Sequence, residues 1–161
     1  MVVYLLAIII IGICIIGIFR ISFIQKRIIN NIRKDNYYLS LRYQMVVAMA
    51  RAQICKHDLY DRIMRHEATS VAVYGMSDIG ELIVEDILSH PNGLRILYGI
   101  DSRANEIYTY IPVYTIEEIS DKPMPDVMIV SVLGEPGGII KQELSRKFNC
   151  LVLSVEELVY E

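Results

Sequence analysis

The sequence predicts an α/β fold in which a parallel sheet of about five strands follows an N-terminal helical region. From residue 69 onward, short apolar runs alternate with amphipathic helical patterns, which is typical of βαβ units. Glycine-containing turns follow two of these runs, at Gly75–Gly80 and at Gly134–Gly138. The 161 residues have room for one domain of ordinary size with an appendage.

Residues 1–24 predict a single transmembrane helix. Residues 2–19 contain no charged side chain, and a helix of that length spans about 27 Å, close to the membrane hydrocarbon thickness of about 30 Å. The charge of Arg20 can reach the interface, so the helix is expected to continue to Ile24. A cleaved signal peptide is less well supported, because no basic side chain precedes the run and Arg20-Ile21-Ser22 is a poor cleavage context.

Charge is divided unevenly along the chain. Residues 1–34 carry five basic and no acidic side chains, whereas residues 35–161 carry 11 basic and 19 acidic ones, so the net charges are +5 and −8. By the positive-inside rule, the basic residues after the apolar run predict an N-terminus outside the membrane and a C-terminal domain in the cytoplasm. The acidic C-terminal part argues against nucleic acid as a partner.

Residues 25–68 are interpreted as a basic juxtamembrane segment and a helical connector. Lys56-His57-Asp58 is expected to interrupt this connector, with Asp58 as the N-cap of a shorter helix that contains Leu59 and Ile63. Packing on the α/β domain is the simpler interpretation, and self-association or partner binding is the alternative. Apolar residues spaced by three and four form one apolar stripe, which consists of Leu39, Tyr43, Val46, Val47, Ala50 and Ile54.

The α/β domain is predicted over residues 69–161 and begins with a strand–turn–helix–strand unit. The strands are expected at Val71–Tyr74 and Leu94–Ile100, and His90-Pro91-Asn92-Gly93 is expected to end the helix between them. The helix is predicted to bury its apolar residues and to expose its acids; these are Leu82, Ile83, Ile87 and Leu88, and Glu81, Glu85 and Asp86.

The rest of the domain predicts three more strands in the order 3-2-1-4-5, which leaves a crevice where the first and fourth strands end. Val127–Leu133 is almost continuously apolar, as expected of a buried strand. The remaining predicted elements are a strand at Pro112–Tyr114, a turn from Thr115 through Ile119, a loop at Gly134–Gly138, a helix at Ile139–Phe148, a strand at Cys150–Leu153 and a last turn capped by Ser154.

The turn after the first strand partly matches a dinucleotide-binding fingerprint, in which three glycines bend the chain, admit the pyrophosphate and allow close helix packing. Gly75 and Gly80 fill the first and third roles, and Ser77 occupies the second. Asp101 follows the second strand, where an acid can bind a ribose diol and favour NAD over NADP. The alternative is that the glycines only build the turn and Asp101 caps a loop. The candidate cofactor-binding residues are Gly75, Met76, Ser77, Asp78, Ile79, Gly80, Asp101, Ser102, Arg103 and Gly134.

No catalytic or metal-binding pattern stands out. Cys14, Cys55 and Cys150 are far apart, and the histidines lack the spacing of metal ligands. A Tyr-x-x-x-Lys pair, which dehydrogenases and epimerases of the short-chain type use, does not occur in the sequence. An enzyme is therefore not the favoured interpretation.

Six segments carry a resemblance to a known family: Val71–Met76, Ile79–Leu82, Tyr98–Asp101, Pro112–Tyr114, Ile116–Ile119 and Asp126–Val130. With them, residues 70–161 resemble small Rossmann-like domains encoded in bacterial surface-polysaccharide gene clusters, described as NAD(P)-binding or nucleoside-diphosphate-sugar epimerase-like. The resemblance implies a Rossmann-like parallel sheet that binds NAD or a nucleotide sugar, in capsule biosynthesis. The family usually has glycine where this chain has Ser77.

Two functions are therefore expected. The first is a single-pass membrane-anchored module that binds a nucleotide or nucleotide sugar during capsule or surface-polysaccharide biosynthesis. The alternative is a structural adaptor without ligand, whose connector helices bind a membrane glycosyltransferase or a similar partner. A homo-oligomer is compatible with both.

Overall fold

The structure is a computed structural model that describes residues 2–54, 59–90 and 93–160, without the side chains of residues 2–11, 13 and 14. The predicted interruption at residues 56–58, with its cap Asp58, and the predicted stop at Pro91-Asn92 lie outside the described residues. The chain divides into two compact units, Met1–Ser40 and Leu41–Glu161.

Helix α1 is continuous over Val2–Ile54, so it begins in the first unit and ends in the second. In the first unit, the large apolar side chains after residue 14 are exposed; examples are Phe19, Phe23 and Ile29. Within the part of the chain that the structure describes, no helical stretch combines the length and apolar character that a membrane crossing requires.

The second unit contains the predicted sheet. Its strands are β1 Ser70–Tyr74, β2 Arg95–Ile100, β3 Val113–Tyr114, β4 Val127–Val130 and β5 Leu151–Ser154. All four strand pairs are parallel and the order is β3-β2-β1-β4-β5, so the predicted α/β class and strand order are confirmed. The central strands β1 and β4 are buried almost completely, as expected of a parallel sheet covered on both faces.

Helices cover both faces of this sheet. After α1 come α2 Leu59–Met64, α3 Asp78–Leu88, α4 Gly134–Lys147 and α5 Val155–Tyr160, with short 3₁₀ turns at Ala104–Glu106 and Glu118–Asp121. One face of the sheet packs on α2, α3, α5 and the end of α1, and the other packs on α4 and the 3₁₀ turn Glu118–Asp121. The connections after β1 and β4 therefore leave on opposite faces, which places the two following turns side by side at the carboxyl edge.

The apolar stripe predicted in the connector is not the face of α1 that packs on the α/β domain. Tyr43 is 71% exposed and Ile54 is 81% exposed. Both apolar sets have the spacing of a helix face, so periodicity alone could not separate them. The buried face has methionine and alanine side chains, which fit irregular gaps or permit close approach; it consists of Leu41, Met45, Ala48, Met49 and Ala52.

Two predictions about the faces of α3 are also wrong. Leu88 is 51% exposed, whereas Asp86 is only 5% exposed. The Asp86 carboxylate accepts hydrogen bonds from Gln53 Nε2 at 3.0 Å and from the Tyr60 amide at 3.2 Å. This acid is buried because it caps the start of α2 and holds the end of α1, two partners far away in sequence.

The segment predicted as a loop at Gly134–Gly138 is the first part of α4, and β4 ends at Val130 rather than Leu133. Pro136 is tolerated there because the amides of a first helical turn have no partner within the helix. The predicted Ser154 cap is confirmed: its hydroxyl accepts from the Glu157 amide at 3.2 Å, and the Glu157 carboxylate accepts from the Ser154 amide at 2.8 Å.

Candidate functional site

The turn between β1 and α3 is built by its two glycines. Gly75 has a φ of +89°, a conformation that residues with a side chain rarely adopt. A Cβ added to Gly80 would overlap with the Gly75 carbonyl oxygen, so the first turn of α3 packs directly on the end of β1. The two glycines thus have the turn and close-packing roles expected from their spacing.

Asp101 lies beside this turn, at the end of β2. Its Oδ2 accepts a hydrogen bond from the Met76 amide at 2.9 Å, and its Oδ1 accepts one from the Arg103 amide at 2.9 Å. The structure therefore brings Asp101 and the glycine turn together. A carboxylate has about four acceptor positions, so these two bonds orient the group and leave capacity for further hydroxyl donors.

Met76 and Ile79 belong to the core. Met76 is buried, and its Sδ lies 2.7 Å from the position that a Cβ on Gly99 would occupy, so the side chain lies across β2. Ile79 is buried on the inner side of α3. Of these two predicted site residues, only the backbone of Met76 takes part in the arrangement around Asp101.

The polar residues of the turn are more accessible. Ser77 precedes α3 in an extended conformation, is half-buried, and makes no side-chain capping hydrogen bond. Asp78 is exposed in the first turn of α3, where its negative charge opposes a second anion. Ser102 and Arg103 are exposed beyond Asp101.

The base of the predicted crevice is filled by Ser131 and Val132, which were not among the candidate residues. The Ser131 hydroxyl donates to the Gly75 carbonyl oxygen, and the Ser131 amide donates to the Tyr74 carbonyl oxygen at 2.9 Å. A Cβ on Gly75 would lie 2.7 Å from Ser131 Oγ and 3.0 Å from Val132 Cγ2. A ligand would therefore have to bind above this contact. The signal in the sequence was a serine directly after the apolar run of β4.

The start of α4 is occupied by an acid from the same chain. The Gly134 amide donates to Glu156 Oε1 at 2.9 Å, and Glu156 lies in α5. Gly134 is therefore the first residue of α4 and not part of the predicted loop. A Cβ on Gly137 would overlap with the Val132 carbonyl oxygen, so this turn also depends on a close approach at glycine.

Negative charge surrounds the end of β1. Burial raises the pKa of Tyr74 above its usual value, and the nearby charges of Asp101, Glu143 and Glu117 raise that pKa further. A phosphate group placed beside Tyr74 would experience the same repulsion. The electrostatics therefore suit a hydroxyl-bearing part of a ligand better than a polyphosphate.

The residues around the turn form a hydrogen-bonding site next to the glycine bend of an α/β domain with Rossmann-like strand order. Among the described residues, no group of three or more His, Cys, Asp or Glu is placed to hold a metal ion. Comparisons of the chain with protein-family models, with curated proteins and with solved structures found no match.

Proposed function

We propose that this chain is a membrane-anchored Rossmann-like module that binds a nucleotide or nucleotide sugar during the biosynthesis of a bacterial surface polysaccharide. The observation that carries the proposal is the carboxylate of Asp101, which the amides of Met76 and Arg103 hold at the carboxyl edge of the sheet. An acid at this position binds the ribose diol in dinucleotide-binding domains. Because the carboxylate is oriented before a ligand arrives, binding costs less ordering entropy.

The start of α3 is the better of two places for the phosphate of such a ligand. Ser77 makes no capping hydrogen bond, so its hydroxyl can donate to a phosphate oxygen, and a helix start favours negative charge. The start of α4 is less suitable, because Glu156 already accepts from the Gly134 amide. Asp101 would repel a 2′-phosphate, so we propose NAD or a nucleotide sugar rather than NADP.

The proposed location rests on the N-terminal sequence. Residues 2–19 lack charge, five basic residues follow within residues 20–34, and the apolar side chains around Phe19 and Phe23 are exposed. These features support an inner-membrane anchor with its N-terminus outside and the α/β domain in the cytoplasm. The family resemblance of residues 70–161 supports a role beside a membrane glycosyltransferase, where tethering would raise the local concentration of the module.

Thermal unfolding of the full chain in detergent micelles, with NAD, NADP, UDP-glucose or CoA added, tests the binding proposal. A ligand at 100 times its dissociation constant should stabilise the protein by about 2.7 kcal/mol. The variant Asp101→Asn should lose most of this ligand effect, because an amide donates where the diol also donates. Absence of stabilisation by all four probes would refute the proposal.

The variant Asp78→Asn tests the same proposal through an expected gain of ligand binding, whereas Asp101→Asn tests it through a loss. Removing the Asp78 charge from the first turn of α3 should strengthen binding of any ligand whose phosphate lies there. Glu106→Gln is the matched control, since it removes an exposed acid from a 3₁₀ turn instead. Equal effects of Asp78→Asn and Glu106→Gln would place the phosphate elsewhere.

A ligand-free adaptor is the second candidate, and the contact between Ser131 and Gly75 favours it because that contact fills the base of the crevice. This candidate predicts that none of the four probes changes the melting temperature. It also predicts that a co-expressed membrane glycosyltransferase co-purifies with the wild-type chain and not with Tyr43→Glu, which alters the exposed side of α1.

A further inference from the structure

Helix α1 has a second apolar face, which we name the outer face. In the second unit it consists of Tyr43, Val46, Ala50 and Ile54, all of which are exposed. At 3.6 residues per turn, these positions lie on the side of the helix opposite to Met45, Met49 and Ala52, which pack into the core. The α/β core therefore leaves the outer face uncovered in the described part of the unit.

The outer face belongs to a longer pattern in the sequence. Reading backwards from Ala50, the intervals alternate strictly between four and three residues for three heptads, which is the spacing of the a and d positions of a coiled coil. The described side chains of the first unit that continue this spacing are exposed as well. The complete set is Ile29, Ile32, Asn36, Leu39, Tyr43, Val46 and Ala50.

We propose that two copies of this chain associate through these positions as a parallel two-stranded coiled coil. The proposal is independent of nucleotide binding. A second copy fits because an a/d face is complementary to itself in a two-fold arrangement. Asn36 falls at an a position, where a buried asparagine pairs with its counterpart and favours two parallel strands in register.

The flanking positions are compatible with this parallel pairing. In a parallel pair, each g residue faces the e residue of the next heptad in the other copy. These facing pairs are Ile28 with Arg33, Asp35 with Ser40, and Arg42 with Val47. None of them brings two like charges together, so charge does not oppose a second copy of the same chain.

The available apolar surface is sufficient for a specific dimer. Burying an apolar side chain removes on average roughly 60–120 Å² from water. The six apolar side chains of the set, four aliphatic ones with Tyr43 and Ala50, provide on the order of 1,000 Å² of buried surface from the two copies together, which is the lower limit expected for a biological interface.

Disulfide cross-linking tests the geometry in the full chain, with the three native cysteines replaced by alanine and the protein in detergent micelles. Val46→Cys places a thiol at a d position, where the two copies come close enough for a disulfide. Gln44→Cys places a thiol two residues earlier on the same helix, at an exposed position that is neither an a nor a d position. We expect mild oxidation to yield a covalent dimer with Val46→Cys and not with Gln44→Cys. Equal yields would overturn the proposal.

Sedimentation equilibrium of the full chain tests the association itself. Replacing Leu39 and Val46 together by glutamate should raise the dimer dissociation constant at least roughly 100-fold, because burying unpaired carboxylates is costly. The matched control replaces Tyr37 and Gln44 by glutamate, two exposed residues off the seam, and should leave association unchanged. Circular dichroism verifies that both variants keep their helix content. The coiled coil would be refuted if the wild-type chain is monomeric, even if it binds a different protein through this face. Equal weakening of association in both variants would refute it as well.

Discussion

At the carboxyl edge of the sheet, two turns each lead from a strand into a helix. Both turns need a closely packed glycine, but the two helix starts differ in their hydrogen bonding. In each turn, a glycine lies so close to the carbonyl oxygen of the residue five positions earlier that an added Cβ would overlap with that oxygen. These pairs are Gly80 with Gly75, and Gly137 with Val132. At the start of α3, however, Ser77 makes no side-chain cap. At the start of α4, Glu156 accepts a hydrogen bond from the Gly134 amide.

This difference shows that a glycine pattern and an available helix start are separate properties. The glycines permit close packing of a helix on the preceding strand, which both turns need. Whether the first amides of the helix remain available depends on residues elsewhere, such as Glu156, which is 22 residues from Gly134 in the chain. The capacity to bind an anion therefore cannot be predicted from the glycine spacing alone.

The largest expected effect tests whether both turns need their close-packing glycine. Gly80→Ala and Gly137→Ala should each lower the free energy of unfolding by about 3 kcal/mol, because the added methyl group meets backbone that cannot move freely. The neighbouring Gly138→Ala, which meets nothing within 4 Å, should instead raise it by about 0.5–1 kcal/mol. Urea unfolding measures all three, and a tolerated Gly137→Ala would mean that the two turns are not equivalent.

The second prediction concerns the contact that joins the turns. Ser131→Ala removes the hydroxyl that donates to the Gly75 carbonyl oxygen and leaves a buried acceptor without that partner. We expect a loss of about 1–3 kcal/mol in the free energy of unfolding. Ser102→Ala, at an exposed position after β2, should change it by less than about 0.5 kcal/mol. Chemical denaturation of both variants decides whether the contact stabilises the crevice.

The third prediction concerns one variant that makes the start of α4 available to an anion and another that caps the start of α3. Glu156→Ala removes the acceptor from the Gly134 amide and should cost about 1 kcal/mol of stability. Added phosphate should restore part of this loss, since the helix start is then available to an anion. Ser77→Asp should instead supply a cap to α3 and weaken any ligand whose phosphate binds there. Melting temperatures with and without phosphate test both, and an unchanged phosphate response in Glu156→Ala would contradict the comparison.

The last prediction uses the opposite edge of the sheet as a reference. The amides and hydroxyls of Thr69 and Ser70 donate to Asp126 Oδ2, with distances of 2.7–3.0 Å, and lower the pKa of Asp126 from 3.8 to about 2. Because the folded pKa is depressed, this carboxylate stabilises the fold above about pH 3.8, and that stabilisation is lost as the pH falls through about 2. Asp126→Asn should therefore flatten this part of the acid unfolding profile. Asp121→Asn, which removes an acid without touching these hydrogen bonds, should retain it.

The sequence predicted the features that depend on local pattern. Apolar runs marked the strands, their alternation with helices predicted parallel order, and the spacing of Gly75 and Gly80 identified the first turn. Asp101 was found because it directly follows an apolar run. These signals are contained within a few neighbouring residues, which is why they could be recognised in one sequence.

The features that depend on distant residues could not be predicted in the same way. Asp86 has the spacing of an exposed residue, yet Gln53 and the start of α2 bind it. The segment after Val132 has the composition of a loop, and its helical start is stabilised by a hydrogen bond to Glu156, which is distant in the sequence. The choice between the two apolar faces of α1 was likewise made by packing against the rest of the domain.

The edge of the sheet that is formed by the short strand β3 limits how copies of this domain can associate at high concentration. Strand β3 has only two residues, and Pro112, directly before it, has no amide hydrogen to offer. An incoming strand would find few donors at this edge, so growth into a fibre by strand addition is disfavoured there. We expect solutions of the protein at high concentration to resist amyloid-like polymerisation through β3.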